Sequence, residues 1–226
     1  MTWEKQGKPV GCNICSQIKN EKGWLAMNDT EKRITRPSLF LHSCCGPCST
    51  SVVERLASDY EITVYFYNPN VTDEVEYETR KAAQISFIEQ FNENPSNPYT
   101  VRFKEGPYDK RNFAKVAEGM EKEPEGGKRC EQGFILRLEK TAETASMLGY
   151  DTFATTLTVS PHKDYEVISR IGKRLSIVYG VGFLDMDFKK KAGFQRSIEL
   201  SKKYNLYRQN YCGCDFANHN LGKQED

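Results

Sequence analysis

Histidine is scarce in this chain of 226 residues, with only His42, His162 and His219. None stands at the spacing of a Ser-His-Asp triad or of a zinc protease, so neither hydrolase chemistry is indicated. Glycine-rich phosphate loops are absent too. Neither GxGxxG nor GxxxxGK occurs, which removes the common dinucleotide and nucleoside-triphosphate sites. No apolar run approaches the roughly 20 residues that span a bilayer. The opening stretch, MTWEKQGKPVGC, lacks the apolar segment of a secretory signal. The expected location is therefore cytoplasmic, with no membrane partner. No tandem repeat or low-complexity segment is visible.

What the chain has is cysteine, eight of them and strongly grouped. Cys44 and Cys45 are adjacent in Leu41-His42-Ser43-Cys44-Cys45-Gly46-Pro47-Cys48. Cys12 and Cys15 form a CxxC, Cys130 follows Lys128-Arg129, and Cys212-Gly213-Cys214 forms a CxC. In a reducing compartment, structural disulfides are rare and grouped thiols more often bind metal or cycle electrons. Hydrophobic residues make up 38% and aromatic residues 12%, enough for a globular core and not a disordered chain. The net charge of +1 hides an asymmetry: residues 59–126 carry a net −6 and residues 163–216 a net +5. The basic stretch could meet a phosphate backbone, although solvated helix faces have the same composition.

Residues 1–35 read as a polar N-terminal extension, and 36–226 as a single α/β catalytic domain. Leu39 to His42, Ile62 to Tyr67, Tyr99 to Phe103, Thr152 to Thr158 and Gly182 to Phe188 have strand character. Helical spacing follows over Ser51 to Leu56, 74–92, 129–148, from beyond Pro161 to Val178, and 194–203. The helix over 74–92 is long and charged and carries Val75, Ala82, Ile85, Phe87 and Ile88. Strands alternating with helices predict a Rossmann-like three-layer fold with a mainly parallel sheet of about five strands. In such sheets ligands collect beyond the carboxyl ends of the strands. Cys44-Cys45, Asn68-Pro69-Asn70, Thr155 to Ser160 and Lys189 onward are expected to share that rim.

The cysteine clusters differ in what they can do. Cys44-Cys45-Gly46-Pro47-Cys48 leaves a strand and opens a helix, where the dipole and free N–H groups favour thiolates. Adjacent side chains are expected to diverge, which suits a multi-metal cluster better than one tetrahedral zinc. Cys130 also begins a helix. Cys12 and Cys15 are half of a zinc site without a partner pair. A disulfide between Cys212 and Cys214 would close a small strained ring around glycine, and strained disulfides tend to be labile or catalytic. The preceding Tyr207-Arg208-Gln209-Asn210-Tyr211 offers hydrogen-bonding and stacking groups for a heterocycle.

Seven motifs in order carry a resemblance: LHSCCGPCS at 41–49, YNPN at 67–70 with EYETR at 76–80, GGKRC at 126–130, RLEKTA at 137–142, FATTLTVSPHK at 153–163, KKAGFQRS at 190–197 and LYRQNYCGC at 206–214. On these the chain resembles the epoxyqueuosine reductase QueH family over about residues 38–216. The resemblance implies reduction of epoxyqueuosine to queuosine at the anticodon of tRNA, the last step of queuosine biosynthesis, without cobalamin. It implies a 4Fe–4S cluster at the C-terminal ends of the strands, held by Cys44, Cys45 and Cys130. It further suggests an additional iron ion beside the cluster, with Cys48 as a candidate contributor. Cys212 and Cys214 would be the redox-active pair, re-reduced by an unidentified electron donor. Arg208, Gln209, Thr155, Thr156 and Lys163 are the expected substrate contacts, and the basic C-terminal region would meet the anticodon stem-loop.

There is one departure. The family pattern continues Arg-Cys-x-x-Cys after the paired glycines, whereas this chain reads Arg129-Cys130-Glu131-Gln132-Gly133. Glycine cannot ligate through a side chain. The fourth ligand is left open among Cys48, an extension cysteine, an iron exposed to solvent or substrate, or weakened cluster assembly. The alternative to a reductase is a zinc-binding RNA-interaction module without redox catalysis. A tRNA-sulfur transferase would need an SGGxDS-type loop, which follows none of the strands.

Overall fold

Leu39, Phe40, Leu41 and His42 leave no residue of their strand suited to solvent, which makes it the centre of a sheet covered on both faces. The computed structural model describes residues 36–218, so the expected extension with Cys12 and Cys15, and His219 in the tail, lie outside the described residues. Five strands pair in parallel in the order β3-β2-β1-β4-β5. They are β1 (Ser38–Ser43), β2 (Glu61–Phe66), β3 (Arg102–Glu105), β4 (Thr152–Thr155) and β5 (Gly182–Phe183). The order reverses at β1, between β2 and β4, so the rim beyond Ser43 is the switch point where such sheets bind ligands.

Helices α1 (Gly46–Leu56), α2 (Glu74–Glu93), α3 (Lys110–Ala117), α4 (Lys128–Met147), α5 (Tyr165–Tyr179), α6 (Gly193–Lys203) and α7 (Asp215–Asn218) complete the described residues, with a 3-10 turn over Thr156–Val159. The period-2 alternation of β1 separates two cores. Leu39 and Leu41 pack with Val52, Val53, Phe87 and Phe188 under α1, α2 and α6. Phe40 packs with Tyr65, Leu138, Phe153 and Ile168 under α4 and α5. This is the expected three-layer arrangement. No helix among the described residues is long and apolar enough to cross a membrane.

Three strands differ from expectation, each for a visible reason. β3 begins at Arg102 because Asn92 takes the Val101 N–H and carbonyl at 2.8 and 2.9 Å. β4 stops at Thr155, whose Oγ1 accepts from Leu157 N at 3.1 Å and turns the chain into the 3-10 turn. β5 is two residues long. After it Asp185 is held by Tyr165, Ser169 and Lys173 on and beside α5, away from any ladder. On α2, Phe87 and Ile88 are buried, whereas Val75 is 76% exposed.

Candidate active site

Residues 43–48 carry the site out of the sheet. Asn68 Nδ2 donates to Ser43 O at 2.9 Å, and Ser43 Oγ donates to Gln84 Oε1 at 2.7 Å, fixing the strand end from two neighbouring elements. Cys45 is the N-cap of α1 in an extended conformation. Pro47 then starts the helix, where its missing N–H costs nothing and its fixed φ suits the first turn. Gly46 is required here: a Cβ would lie 2.7 Å from Ala83 O of α2.

This turn gathers three sulfurs. Cys44, Cys45 and Cys48 Sγ all lie within 4.8 Å of one another, with Cys44 and Cys45 3.9 Å apart. The adjacent thiols thus converge rather than diverge, because Cys45 is extended while the chain begins to turn. Sulfurs bound at 2.3 Å to one tetrahedral metal are separated by about 3.8 Å, so the group has the spacing to hold a metal. Hydrogen bonding from Cys45 and Cys48 holds the Cys44 thiol well below the usual thiol range. The same interaction with Cys44 pushes Cys45 up to about 12 and raises Cys48.

Cys130 is not in this group but lines the adjoining wall. It sits in the first turn of α4, and its Sγ accepts from Gly126 N at 3.3 Å. Arg129 Nη1 donates to the carbonyls of Met120, Glu121 and Glu123 and pins the loop that delivers it. Cys130, Gly133, Arg137, Lys163 and Cys212 face a cavity of about 30 Å³. A Cβ on Gly133 would lie 3.2 Å from the Phe113 ring and 3.8 Å from Arg137 Nη2.

Arg137, which the sequence did not single out, is the buried cation of the site. Its Nε donates to Gly133 O at 2.8 Å. Burial lowers its pKa, and the charges of Cys212, Cys44, Cys130 and Cys214 oppose that shift. Cys130 and Cys212, from two separate segments, line the same small cavity as this guanidinium.

Cys212 and Cys214 differ in setting. Cys214 is buried beside Phe113 and Ala117. Cys212 is half-buried and lines both the small cavity and a neighbouring one of about 440 Å³. A hydrogen bond with Cys214 lowers the Cys212 thiol to about 5 against the cost of burial, helped by Lys163 and Arg137. Lys163 is pulled down by burial, but the Cys44 and Cys212 charges outweigh this and leave it raised.

The larger cavity has Cys44, Cys45, Cys48 and Cys212 on its walls together with Lys163, Arg208 and Gln209. Arg208 Nη1 and Gln209 Oε1 are buried and make no hydrogen bond in the structure. Thr156 Oγ1 lies 3.9 Å from Cys44 Sγ. Thr155 is engaged elsewhere, 2.9 Å from His42 Nδ1 and bonded to Leu157 N. His162 borders both cavities.

Sequence reasoning also passed over Glu76 and Arg80. Arg80 is buried and holds the carbonyls of Tyr211 and Cys212. Beyond their place in the EYETR motif, their sequence signal is the i, i+4 pairing of opposite charges, which surface helices share.

A model of the family described as epoxyqueuosine reductase QueH matches residues 39–220. The chain is 44% identical over 187 residues to the epoxyqueuosine reductase QueH of Streptococcus pyogenes, covering 83% of this chain and 72% of that protein. It is 41% identical over 212 residues to the Staphylococcus aureus protein of the same name, covering 90% and 88%. Against the Thermotoga maritima protein it is 33% identical over 183 residues, covering 80% and 90%. With thiols from 44–48, 130 and 212–214 drawn around one rim of the sheet, and matches of this extent, the chain belongs to the epoxyqueuosine reductase QueH family.

Proposed function

We propose that this protein reduces epoxyqueuosine in tRNA to queuosine, in the cytoplasm and without cobalamin. The observation that carries the reading is the cavity of about 440 Å³ with three clustered thiols on its wall, Cys44, Cys45 and Cys48, and Cys212 on the same wall system. The overall change is removal of the epoxide oxygen as water, which takes up two electrons and two protons and leaves a carbon–carbon double bond. Oxidation of Cys212 and Cys214 to a disulfide releases two electrons and two protons, so the two halves balance. An external dithiol or other electron donor then returns the pair to its reduced form.

Cys44, Cys45 and Cys130 would hold a 4Fe–4S cluster, and the thiolate-only donor set fits such a group. Cys48 is the candidate to complete the coordination or to hold a further iron beside it. When bound, the cluster supplies electron transfer and Lewis acidity. The other groups belong to the chain. Cys212 is the thiol that meets substrate, and buried Cys214 is its partner. The Lys163 ammonium can stabilise the departing oxygen. Arg208 Nη1 and Gln209 Oε1 form an unsatisfied donor and acceptor for the nucleobase, and Thr156 borders the thiols. Thr155 acts through its neighbours.

The test is anaerobic reconstitution with iron and sulfide, followed by reaction with epoxyqueuosine-containing tRNA and a dithiol reductant. Cluster absorption without queuosine formation overturns the reading. Cys212→Ser and Cys214→Ser should each stop turnover and leave that absorption in place.

The tight spacing of Cys44, Cys45 and Cys48 also favours a second reading, a single zinc in an RNA-interaction module. It requires colourless protein with stoichiometric zinc, and Cys212 and Cys214 that stay reduced throughout.

A further inference from the structure

Arg80 directs each nitrogen of its guanidinium to an acceptor. Nε donates to Glu76 Oε1 at 2.6 Å, Nη1 to Cys212 O at 3.0 Å and Nη2 to Tyr211 O at 3.1 Å. The guanidinium also stacks 5.3 Å from the centre of the Tyr211 ring. Glu76 is steadied in turn by Tyr207 Oη, which donates to its other oxygen at 2.8 Å. The next carbonyl along the loop, Gly213 O, accepts from Thr72 N at 3.1 Å. Three consecutive carbonyls are thus taken by α2 and the segment leading into it. Gly213 is left-handed at φ +95, and a Cβ on it would meet Arg80 Nη2 at 2.9 Å. The loop between the two thiols is pressed against the guanidinium.

We propose that Arg80 is a positioning residue for the Cys212–Cys214 dithiol: by gripping the loop backbone it shifts the thiol–disulfide equilibrium toward the reduced pair. This rests on the reading that the two cysteines exchange electrons. Oxidation takes one proton and one electron from each thiol and forms a sulfur–sulfur bond across Gly213. A ring with a single intervening residue must satisfy the narrow torsional demands of a disulfide. Any change of loop torsions on closing that ring works against the bonds that hold the Tyr211 and Cys212 carbonyls. The grip keeps the pair loaded with electrons between turnovers. A buried cation that loses its partners is costly, so Arg80 holds the loop more firmly than a surface arginine would.

The experiment uses the full-length chain purified anaerobically with its metal. It is equilibrated in glutathione buffers of graded composition, where oxidised glutathione accepts the two electrons and becomes two reduced molecules. After acid quenching and alkylation, mass spectrometry measures the fraction of Cys212 and Cys214 joined to each other. Arg80→Gln should move the midpoint at least tenfold toward disulfide, which is about 30 mV for a two-electron couple. Arg80→Lys keeps the charge without the fork, and should move it by a smaller factor in the same direction. Circular dichroism verifies folding. A midpoint within twofold of the unsubstituted chain in folded Arg80→Gln overturns the proposal, and Arg80→Lys decides in the same way where Arg80→Gln does not fold. Failure of the unsubstituted chain to join Cys212 to Cys214 in any buffer overturns the redox reading itself, whereas an unmoved midpoint leaves that reading intact.

Discussion

His42 and Thr155 lie opposite one another in register across β1 and β4, with His42 Nδ1 2.9 Å from Thr155 Oγ1. His42 Nε2 is 3.1 Å from Tyr67 O, and a carbonyl can only accept, so the proton is on Nε2. Nδ1 therefore accepts from the Thr155 hydroxyl, which itself accepts from Leu157 N. The pair closes β4 and holds a neutral imidazole directly behind the thiols.

That imidazole gives the fold a pH dependence. Burial, followed by the nearby Arg137, lowers the His42 pKa to about 4, from an ordinary value of 6.5. The unfolded chain then binds more protons than the native one between pH 6.5 and 4, so protonation favours unfolding in that window. The stability held above pH 6.5 should fall as the pH drops toward 4, by roughly 3 kcal/mol when the whole shift is counted. Urea unfolding of the metal-free chain across this range should show the decline, and His42→Gln should flatten it. A slope identical in the two proteins would show that other groups set the dependence.

Gly46→Ala tests the close approach of α1 to α2. The added methyl would sit 2.7 Å from a backbone carbonyl oxygen, which cannot swing aside as a flexible side chain does. A loss of about 1–3 kcal/mol is expected from overpacking. Weaker metal retention should accompany it, because the same turn carries Cys45 and Cys48. Thermal unfolding and metal analysis on one preparation measure both, and unchanged melting would mean that the helices separate freely.

Arg208→Met and Gln209→Leu each remove one of two buried, unsatisfied polar atoms on residues that line the larger cavity. Each should weaken use of the modified tRNA by one to two orders of magnitude in kcat/KM, the range for losing a hydrogen bond to a nucleobase. Absorption of the bound metal centre should not change. Kinetics indistinguishable from the unsubstituted chain would remove these residues from substrate recognition.

Much of this was legible in the residues themselves. Strand-like runs ending in Ser43-Cys44-Cys45 and Thr155-Thr156 indicated which rim would carry the chemistry, since parallel strands deliver their carboxyl ends to one side. The cysteine spacing drew attention to Cys44, Cys45, Cys212 and Cys214 before any geometry. The length of β5 was not legible, because Asp185-Met186-Asp187 alternates like a strand and only the hydrogen bonds from Tyr165 and Ser169 pull it away. Arg137 and Arg80 were hidden for a different reason. A charged residue on a helix reads as a solvated one until the thiols and carbonyls that surround it are known. Helix α3 has too few apolar residues in Lys110–Ala117 to declare itself, and buries only Phe113 and Ala117.

The grip of Arg80 on the loop of Tyr211 and Cys212 also orders events in time. A growing chain presents Cys44, Cys45 and Cys48 more than 160 residues of synthesis before Cys212 appears. From its own synthesis until then Arg80 has Glu76 as its partner but not the two carbonyls, and the cavity lacks the wall that carries Arg208 and Gln209. The turn of three cysteines, which could hold a metal, is therefore made long before that wall. Residues 207–214 complete the cavity last, so a chain that lacks them has Cys44, Cys45 and Cys48 without Cys212 beside them.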